Sequence, residues 1–597
     1  KKKKKIKKKK QITKIIEKYY EFYGYQKLVS DIEKVFGEYD KIYKTYSESC
    51  ISINAEYNKI KYIKERFSDT VIILDEVHVT RTNDGGKEEK KVPPYLELIA
   101  RYAENTKFIL LSATPMYNIS KEVIWLINLL LLNDKKSPIE EFEIFDKDND
   151  IKIYSNDSIK KNDLLNENID INKIIEGSTA LRIIIDKSRG YISYLRGEHP
   201  FKFPSKIFPE SRTYTPDPLY DYKNQKLINK IPNKKLILYK NEMSIWQFYH
   251  LFEQFAEIPE DESDLIREEN KKKKAFGNNA NMASNIVFPD LSNEHKFFTK
   301  GEPCGLIGDD GIKNIFEYDQ ISKQYTYKQN YINTNNEGIF HRNRIEKYSA
   351  KFKNIIDNIV GNKDRHIFPS QGIVFIFSQY IAHGIEPISI MLEENGFKRY
   401  IYNNFNKIYQ EKNILKKKIE EKDLFCSKNK VYKQIHTTNE FKQARYIYLD
   451  GKSTEIEREK LVKIARDKKN INGEEVLVIL GSKVLEHGIS FFNVRETHIL
   501  EPWHHLNMIE QAVGRTIRNF SHINFERKFQ NTTLFLHCSA LPNIDELKKF
   551  RDETRKREVA SLSDMHIAKL FFKKTDDELN IETWDERIYR RAYQKKK

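Results

Sequence analysis

Cysteine is scarce in this sequence, and the four cysteines do not cluster. Cys50, Cys304, Cys426 and Cys538 lie far apart and form no CxxC pair. Zinc sites and the disulfide frameworks of small domains show closely spaced cysteines, so the spacing predicts neither. A reducing compartment is the expected environment.

Long apolar runs are also absent. No segment approaches the roughly 18 uninterrupted apolar residues of a membrane-spanning helix, and the lysine-rich start lacks the apolar core and cleavage site of a secretory signal. The chain has 597 residues, of which 39% are hydrophobic, enough for two or more domains with cores of their own. The sequence therefore predicts a soluble globular protein that is not secreted.

Positive charge exceeds negative charge, since 104 Lys and Arg against 87 Asp and Glu give a formal net charge of +17. Clustered Lys and Arg neutralise phosphates and release counterions, which favours a polyanionic partner such as nucleic acid. The alternative is an AT-biased coding sequence rich in Lys, Ile, Asn and Tyr. Part of the excess lies in the terminal runs KKKKKIKKKK and QKKK, which are typical of nucleic-acid or import tails and equally of solvated ends.

Apolar periodicity predicts an α/β fold with two lobes. VIILDE (71–76) and FILLSATP (108–115) are typical of short buried parallel strands, and LELIARYAENT between them predicts a helix. Five further apolar segments predict the strands of a second lobe: GIVFIFS (372–378), YIYLDG (446–451), VLVILGS (476–482), THILEPW (497–503) and TTLFLHC (532–538). The predicted organisation is a partial first lobe (1–135), a middle region with insertions (136–345), a second lobe (346–545) and a charged helical extension (546–597).

Two acidic residues follow the first predicted strand. A carboxylate at the carboxyl edge of a parallel sheet lies where open α/β folds bind ligands. Asp75 could therefore position magnesium, and Glu76 could polarise a water molecule for attack on a γ-phosphate. The alternative is a strand that simply ends in solvent. Ser112 and Thr114 follow the second predicted strand, where their hydroxyl groups could bond to the acidic motif.

The segment QAVGRTIR carries two arginines at helical spacing. On a continuous helix Gln511, Arg515 and Arg518 would lie on one face, close to Gly514. Guanidinium groups aimed at a nucleotide can stabilise transition-state charge, which for arginine fingers contributes on the order of 10³ to 10⁵ in rate. The alternative is surface charge.

The order of DEVH, SATP, VFIFSQ, GSKVLEHGIS and QAVGRTIR resembles motifs II to VI of the superfamily 2 helicases and translocases, which have two RecA-like lobes. Four further segments resemble the branch found in nucleocytoplasmic large DNA viruses: GYISYLRGEHPFKFP, MASNIVFP, HILEPWHH and GRTIRNFSH. That branch includes the poxvirus early transcription factor small subunit and nucleoside triphosphatase I.

The resemblance implies a role for each matched residue. Asp75 corresponds to the magnesium-binding acid and Glu76 to the water-activating acid. The residues that correspond to nucleotide-binding or coupling positions are His78, Ser112, Thr114, Gln511 and Gly514. Those that correspond to nucleic-acid contacts are Ser378, Gln379, Gly488 and Ser490. Arg515 and Arg518 correspond to the catalytic arginines. One departure is His487, which stands before Gly488 where an acidic residue is common.

The resemblance also implies a function. It predicts an ATP-dependent nucleic-acid translocase that uses ATP and Mg²⁺, acts on DNA, and works with viral RNA polymerase or transcription factor subunits in the virion and the cytoplasmic virus factory, with the host nucleus left open. Membranes are not expected among its partners. The alternatives are a non-catalytic scaffold subunit of a viral transcription complex and the motor subunit of a restriction-type system.

A phosphate-binding loop is not found before Asp75. Such a loop needs glycines, a Lys and a Ser or Thr, whereas Gly85, Gly86 and Lys87 follow the acidic motif and lack the hydroxyl residue. The expected explanation is that this sequence begins after the loop, in which case the chain would be inactive. Loss of ATPase activity is the alternative.

Overall fold

The structure, a computed structural model, describes residues 15–43, 48–80, 92–112, 115, 121–146, 152, 178–193, 202–209, 218–220, 227, 236–255, 279–290, 298–299, 302–303, 305–417, 443–449, 453–482, 489–558 and 574–596. The chain divides into two compact units, Lys1–Arg196 and Gly197–Lys597. Both units combine helices with parallel strands, so the predicted α/β class is confirmed. In the described ranges, every helix is too short or too polar to cross a membrane.

The first unit is a parallel pair of strands with helices packed beside it. Its helices are α1 (Tyr25–Tyr43), α2 (Glu48–Phe67), α3 (Val92–Tyr102), α4 (Lys121–Asn133), α5 (Glu141–Ile144) and α6 (Thr179–Ser188). Strands β1 (Val71–Leu74) and β2 (Lys107–Leu110) pair in parallel, with Leu74 opposite Leu110. Because α3 lies between them in sequence, the predicted strand, helix, strand unit is confirmed.

The two faces of this strand pair differ in burial. Leu74 and Phe108 pack into an apolar core with residues of α1 and α3, such as Ile32 and Leu96. Val71, on the opposite face, remains 61% exposed. The sequence predicted buried strands, and this is correct for one face only, because successive side chains of a strand point to opposite faces and the helices cover one of them.

The second unit is built on a larger sheet, which contains nine strands within the described residues. The strands along the main path of the sheet are, in spatial order, β13 (Ile408–Glu411), β12 (Lys398–Asn403), β14 (Arg445–Leu449), β15 (Val478–Gly481), β11 (Ile373–Phe377), β16 (Val494–Ile499), β17 (Asn531–Ala540) and β3 (Ser205–Ile207). Strand β4 (Tyr239–Glu242) also pairs with β17. All these pairings are parallel except that of β12 with β13.

Helices and short strand pairs complete the second unit. The helices are α7 (Ile245–Phe255), α8 (Gly308–Ile315), α9 (Ala350–Val360), α10 (Glu386–Glu394), α11 (Glu455–Ala465), α12 (Leu506–Val513), α13 (Ile544–Glu558) and α14 (Trp584–Lys596). The short antiparallel pairs are β5 (Phe288–Pro289) with β8 (Gly305–Leu306), β6 (Phe298–Thr299) with β7 (Glu302–Pro303), and β9 (Phe316–Asp319) with β10 (Gln324–Tyr327).

All five strands predicted for the second lobe are present, as β11, β14, β15, β16 and β17. The predicted middle region is divided between the two units, and its strands β3 and β4 extend the sheet beside β17. These two strands read SKI and YKNE, too short and polar to give an apolar signal. The predicted C-terminal extension also differs, because Trp584, Ile588 and Tyr589 of α14 are buried in the core.

A charged pair lies inside this core. Lys351 of α9 and Asp585 of α14 are 0% and 1% exposed, and the ammonium nitrogen lies 2.7 Å from Asp585 Oδ2. The carboxylate also accepts hydrogen bonds from Ser284 Oγ at 2.6 Å and from Ser539 N at 2.8 Å. A buried pair is stable only when such bonds satisfy the groups that have left water. The pair therefore fixes α9 against α14.

Replacing Lys351 with Met should destabilise the second unit. The substitution leaves Asp585 buried without its counter-charge, which typically costs about 3–5 kcal/mol. Urea unfolding followed by tryptophan fluorescence measures the loss. The matched control is Lys528→Met, which breaks an ion pair to Glu526 whose side chains are 68% and 72% exposed, and which should cost less than about 1 kcal/mol. Equal losses in the two variants would contradict the assigned role.

Candidate functional site

The acidic pair of the first unit lies at the carboxyl end of β1. Asp75 is exposed, and Glu76 adopts a left-handed backbone conformation with φ of 52°. Leu111 N donates to Leu74 O at 2.9 Å and Val77 N donates to Leu111 O at 3.1 Å. These bonds continue the strand pairing past both acids. Such backbone conformations cost energy in non-glycine residues and cluster at functional sites.

His78 connects the acidic pair to the end of β2. The His78 side chain is buried, and its Nδ1 lies 3.0 Å from Ser112 Oγ and 3.4 Å from Glu76 Oε2. The structure thus brings Glu76, His78 and Ser112 together where their sequence positions predicted. Their coupling role stays a prediction. Thr114, the other predicted member, lies outside the described residues.

Tyr25 is a further member of this site that the sequence did not indicate. Its hydroxyl group donates a hydrogen bond to the Asp75 carbonyl oxygen at 2.7 Å. Burial, followed by the negative charges of Asp75 and Glu76, raises the pKa of Tyr25 to about 12. The phenol therefore stays protonated at neutral pH and remains a donor. No local pattern marks Tyr25, because it stands fifty positions before its partner.

The donor set near β1 fits magnesium held jointly with phosphates. Within the described ranges no three His, Cys, Asp or Glu side chains form a group that could hold a metal ion alone. Mg²⁺ is commonly bound through one or two carboxylates together with substrate phosphates and water, and Asp75 can supply such a carboxylate.

In the second unit, three parallel strands bring their carboxyl ends to one edge of the sheet. Phe377 of β11 is opposite both Gly481 of β15 and Ile499 of β16. The residues that follow these strands, including Ser378 and Glu501, therefore lie close together. This is the edge at which open α/β sheets bind ligands.

Glu501 holds the chain that follows β11. Its carboxylate accepts hydrogen bonds from Ser378 Oγ at 2.5 Å, from Asn285 Nδ2 at 2.7 Å and from Gln379 N at 3.3 Å. Ser378 is 0% exposed, so we expect it to position Gln379 and not to contact a ligand directly. Gly384 is required in the same turn, because a Cβ there would overlap Ser378 Oγ. Sequence analysis assigned no role to Glu501, although it lies in the segment HILEPWHH.

The segment that carries the two arginines does not form one helix. Helix α12 ends at Val513, and Gly514 caps it through a bond from its N–H to Glu510 O at 2.8 Å. The prediction that Gln511, Arg515 and Arg518 share one helix face is therefore wrong. Arg515 is buried and Arg518 is exposed.

The loop before β16 contacts these arginines. Phe491 N donates to Arg515 O at 2.7 Å, and Arg518 Nη1 donates to Ser490 Oγ. The structure thus brings the predicted nucleic-acid contact Ser490 together with Arg518. Gly488 and His487 lie outside the described residues.

Comparison with known proteins gives a consistent assignment. Residues 404–520 match the family model for the helicase conserved C-terminal domain. The chain is 25% identical over 514 residues to a "Putative ATP-dependent RNA helicase" of Acanthamoeba polyphaga mimivirus, covering 85% of this chain and 65% of that protein. It is 22% identical over 596 residues to the early transcription factor large subunit homolog of African swine fever virus, covering 90% and 45% respectively.

The chain spans less than two thirds of the length of these two relatives. Among solved structures, the SWI2/SNF2 ATPase core domain of Sulfolobus solfataricus aligns with a TM-score of 0.25 and 11% identity, covering 88% of this chain and 74% of that one.

The parallel sheet of the second unit lies partly within the residues that match the helicase conserved C-terminal domain, so this unit is an α/β unit with similarity to a helicase domain. More narrowly, the resemblance to the superfamily 2 helicases of nucleocytoplasmic large DNA viruses is confirmed by the mimivirus and African swine fever virus relatives.

Glu501 should make stability depend on pH. Burial raises the pKa of this carboxyl to about 7 from an ordinary 4.5. Between these values the folded state keeps a proton that the unfolded state has lost, so stability falls as pH rises.

Glu501→Gln removes this titration. The difference in unfolding free energy between the variant and the unmodified chain should shift in favour of the variant, by on the order of 2 kcal/mol, between about pH 5 and about pH 8. Denaturant unfolding at the two pH values measures the change. The exposed Glu526→Gln serves as the control, and a Glu501→Gln difference that does not vary with pH would contradict the prediction.

Proposed function

We propose that this protein is an ATP-dependent nucleic-acid translocase or helicase of a large DNA virus, and a DNA-dependent ATPase acting in viral transcription. The observation that carries the proposal is the assembly of Glu76, His78 and Ser112 at the carboxyl end of β1 and β2. The helicase and early transcription factor names of the relatives support it.

In this proposal the acids and arginines have separate roles. Asp75 would hold magnesium, which would supply charge neutralisation for the phosphates of ATP. Glu76 orients and polarises the attacking water, and His78 with Ser112 relays the state of this site. Arg515 and Arg518 supply positive charge for the transition state, and Gln511 and Gly514 belong to the same coupling segment. Thr114 keeps its predicted coupling role.

The polymer contacts belong to the second unit. We assign Gln379 and Ser490 to the phosphate backbone and Ser378 to positioning Gln379, since Ser378 is buried against Glu501. Gly488 keeps its predicted role as a nucleic-acid contact. The proposed partners are DNA and the viral RNA polymerase or its transcription factors, and the proposed location is the virion and the virus factory.

Glu76→Gln should separate ATP binding from ATP turnover. Gln keeps the size of the side chain and loses the base, so nucleotide should still bind while steady-state hydrolysis falls at least about 100-fold, the lower range for a lost general base. The full-length gene product is assayed for phosphate release and for binding of a fluorescent ATP analogue. Glu104→Gln, an exposed surface change on the same unit, is the control. Retained turnover in Glu76→Gln would remove Glu76 from the mechanism.

Stimulation of hydrolysis by a polymer identifies the substrate class. Duplex DNA, single-stranded DNA and RNA are compared, and we expect the largest increase with DNA.

Binding should be independent of sequence and should weaken with salt, because phosphate contacts release counterions. Fluorescence anisotropy of labelled oligonucleotides at about 50 and about 200 mM salt measures this. Equal affinity at both concentrations would contradict an electrostatic contact, and binding without any ATP hydrolysis would favour a scaffold subunit.

A further inference from the structure

Arg466 lies beside Ser490, and sequence analysis assigned it no role. It caps the C-terminal end of α11. Its Nε donates a hydrogen bond to the Ser490 carbonyl oxygen at 2.5 Å, and its guanidinium lies 5.6 Å from the centre of the Phe492 ring. A bond on one side and a ring on the other restrain the side chain. Arg466 is therefore held in place before any ligand binds.

A second guanidinium reaches the same serine. Arg518 donates through Nη1 to Ser490 Oγ, and Ser490 is 7% exposed. Because Ser490 Oγ accepts this bond, its own hydrogen is left to donate. Two positive side chains and a hydroxyl donor thus converge on one short stretch of backbone.

Neither of these arginines forms an ion pair with a carboxylate in the part of the chain that the structure describes. Elsewhere in the second unit guanidinium groups do have such partners, as Arg445 has Glu411 at 2.7 Å and Arg551 has Asp576 at 2.6 Å. Among the described residues, Arg466 and Arg518 therefore lack the carboxylate partners that Arg445 and Arg551 have.

Two like charges without a counter-charge raise each other's free energy. Burial, and then the charge of Arg518, lowers the pKa of Arg466. A bound anion would remove this cost, and the planar fork of a guanidinium suits the oxygen atoms of a phosphate group.

We propose that Arg466, Arg518 and Ser490 form a phosphate-binding site, in which Arg466 contacts the phosphate directly. The proposal deepens the proposed function, because in a translocase the phosphate belongs either to the nucleotide or to the nucleic-acid backbone. Both sources present the same phosphate oxygens, and the test distinguishes them.

The test compares three variants of the full chain. Arg466→Gln removes the charge. Arg466→Lys keeps the charge and can keep the bond to Ser490 O, but it lacks the guanidinium fork. Lys463→Gln removes an exposed charge from α11 close to Arg466 and is the matched control. Circular dichroism and thermal unfolding show which variants are folded. If Arg466→Gln is not folded, the binding measurements rely on Arg466→Lys.

The probes are inorganic pyrophosphate, ATP, and labelled duplex and single-stranded DNA. Arg466→Gln should weaken pyrophosphate binding about tenfold, Arg466→Lys should weaken it less, and Lys463→Gln should leave it within about twofold. If Arg466→Gln weakens the binding of ATP as much as that of pyrophosphate and leaves the binding of DNA unchanged, the site binds a phosphate of the nucleotide. A loss for DNA alone, with the salt dependence reduced by about one phosphate contact, assigns it to the backbone.

The outcomes separate this inference from the proposed function. If folded Arg466→Gln binds every probe as the unmodified chain does, or if the unmodified chain binds no probe, the phosphate site is overturned. If the unmodified protein neither hydrolyses ATP nor binds nucleic acid, the proposed function fails. A loss of pyrophosphate binding in Arg466→Gln would still support the site in that case.

Discussion

The buried pair of Lys351 and Asp585 is the interaction around which the second unit is organised. Moving both charges out of water costs several kcal/mol for each ion, and their attraction offsets this only with good geometry and further hydrogen bonds. Ser284 and Ser539 supply those bonds to Asp585, and Asn285 Oδ1 accepts a bond from Lys351 Nζ at 3.1 Å. These contacts come from segments far apart in sequence, so each segment is needed for the others to be stable in place.

The same interaction extends to the ligand-binding edge of the sheet. Asn285 accepts from Lys351 and donates to Glu501, and Glu501 in turn holds Ser378 and Gln379. Two of the segments that resemble the viral branch, MASNIVFP and HILEPWHH, meet the DERIY portion of α14 in this one network. Their shared role is therefore structural, because through these bonds they orient the chain after β11.

The sequence predicted the parts of the fold that local patterns encode. Continuous apolar runs such as IVFIF are typical of strands that are buried on both faces of a parallel sheet, so the strands of the second lobe were predictable. The SKI strand carries no such signal, because its pairing with β17 is decided by tertiary contact. Spacing also failed for Arg515 and Arg518, because Gly514 ends the helix on which the spacing was counted. Tyr25, Arg466 and Glu501 were missed because each meets its partner across a long sequence separation.

The two predicted arginines differ in burial, and therefore in how readily an anion from solvent can reach them. Arg518 is exposed and already bonded to Ser490, so an anion arriving from solvent can meet it without rearrangement. Arg515 is 7% exposed, and its carbonyl group is tied to Phe491. Charge stabilisation is most effective when the charged groups are held before the reaction and need no reorganisation. By this criterion the restrained pair of Arg466 and Arg518 is better prepared for a first phosphate contact than the pair that spacing alone selected.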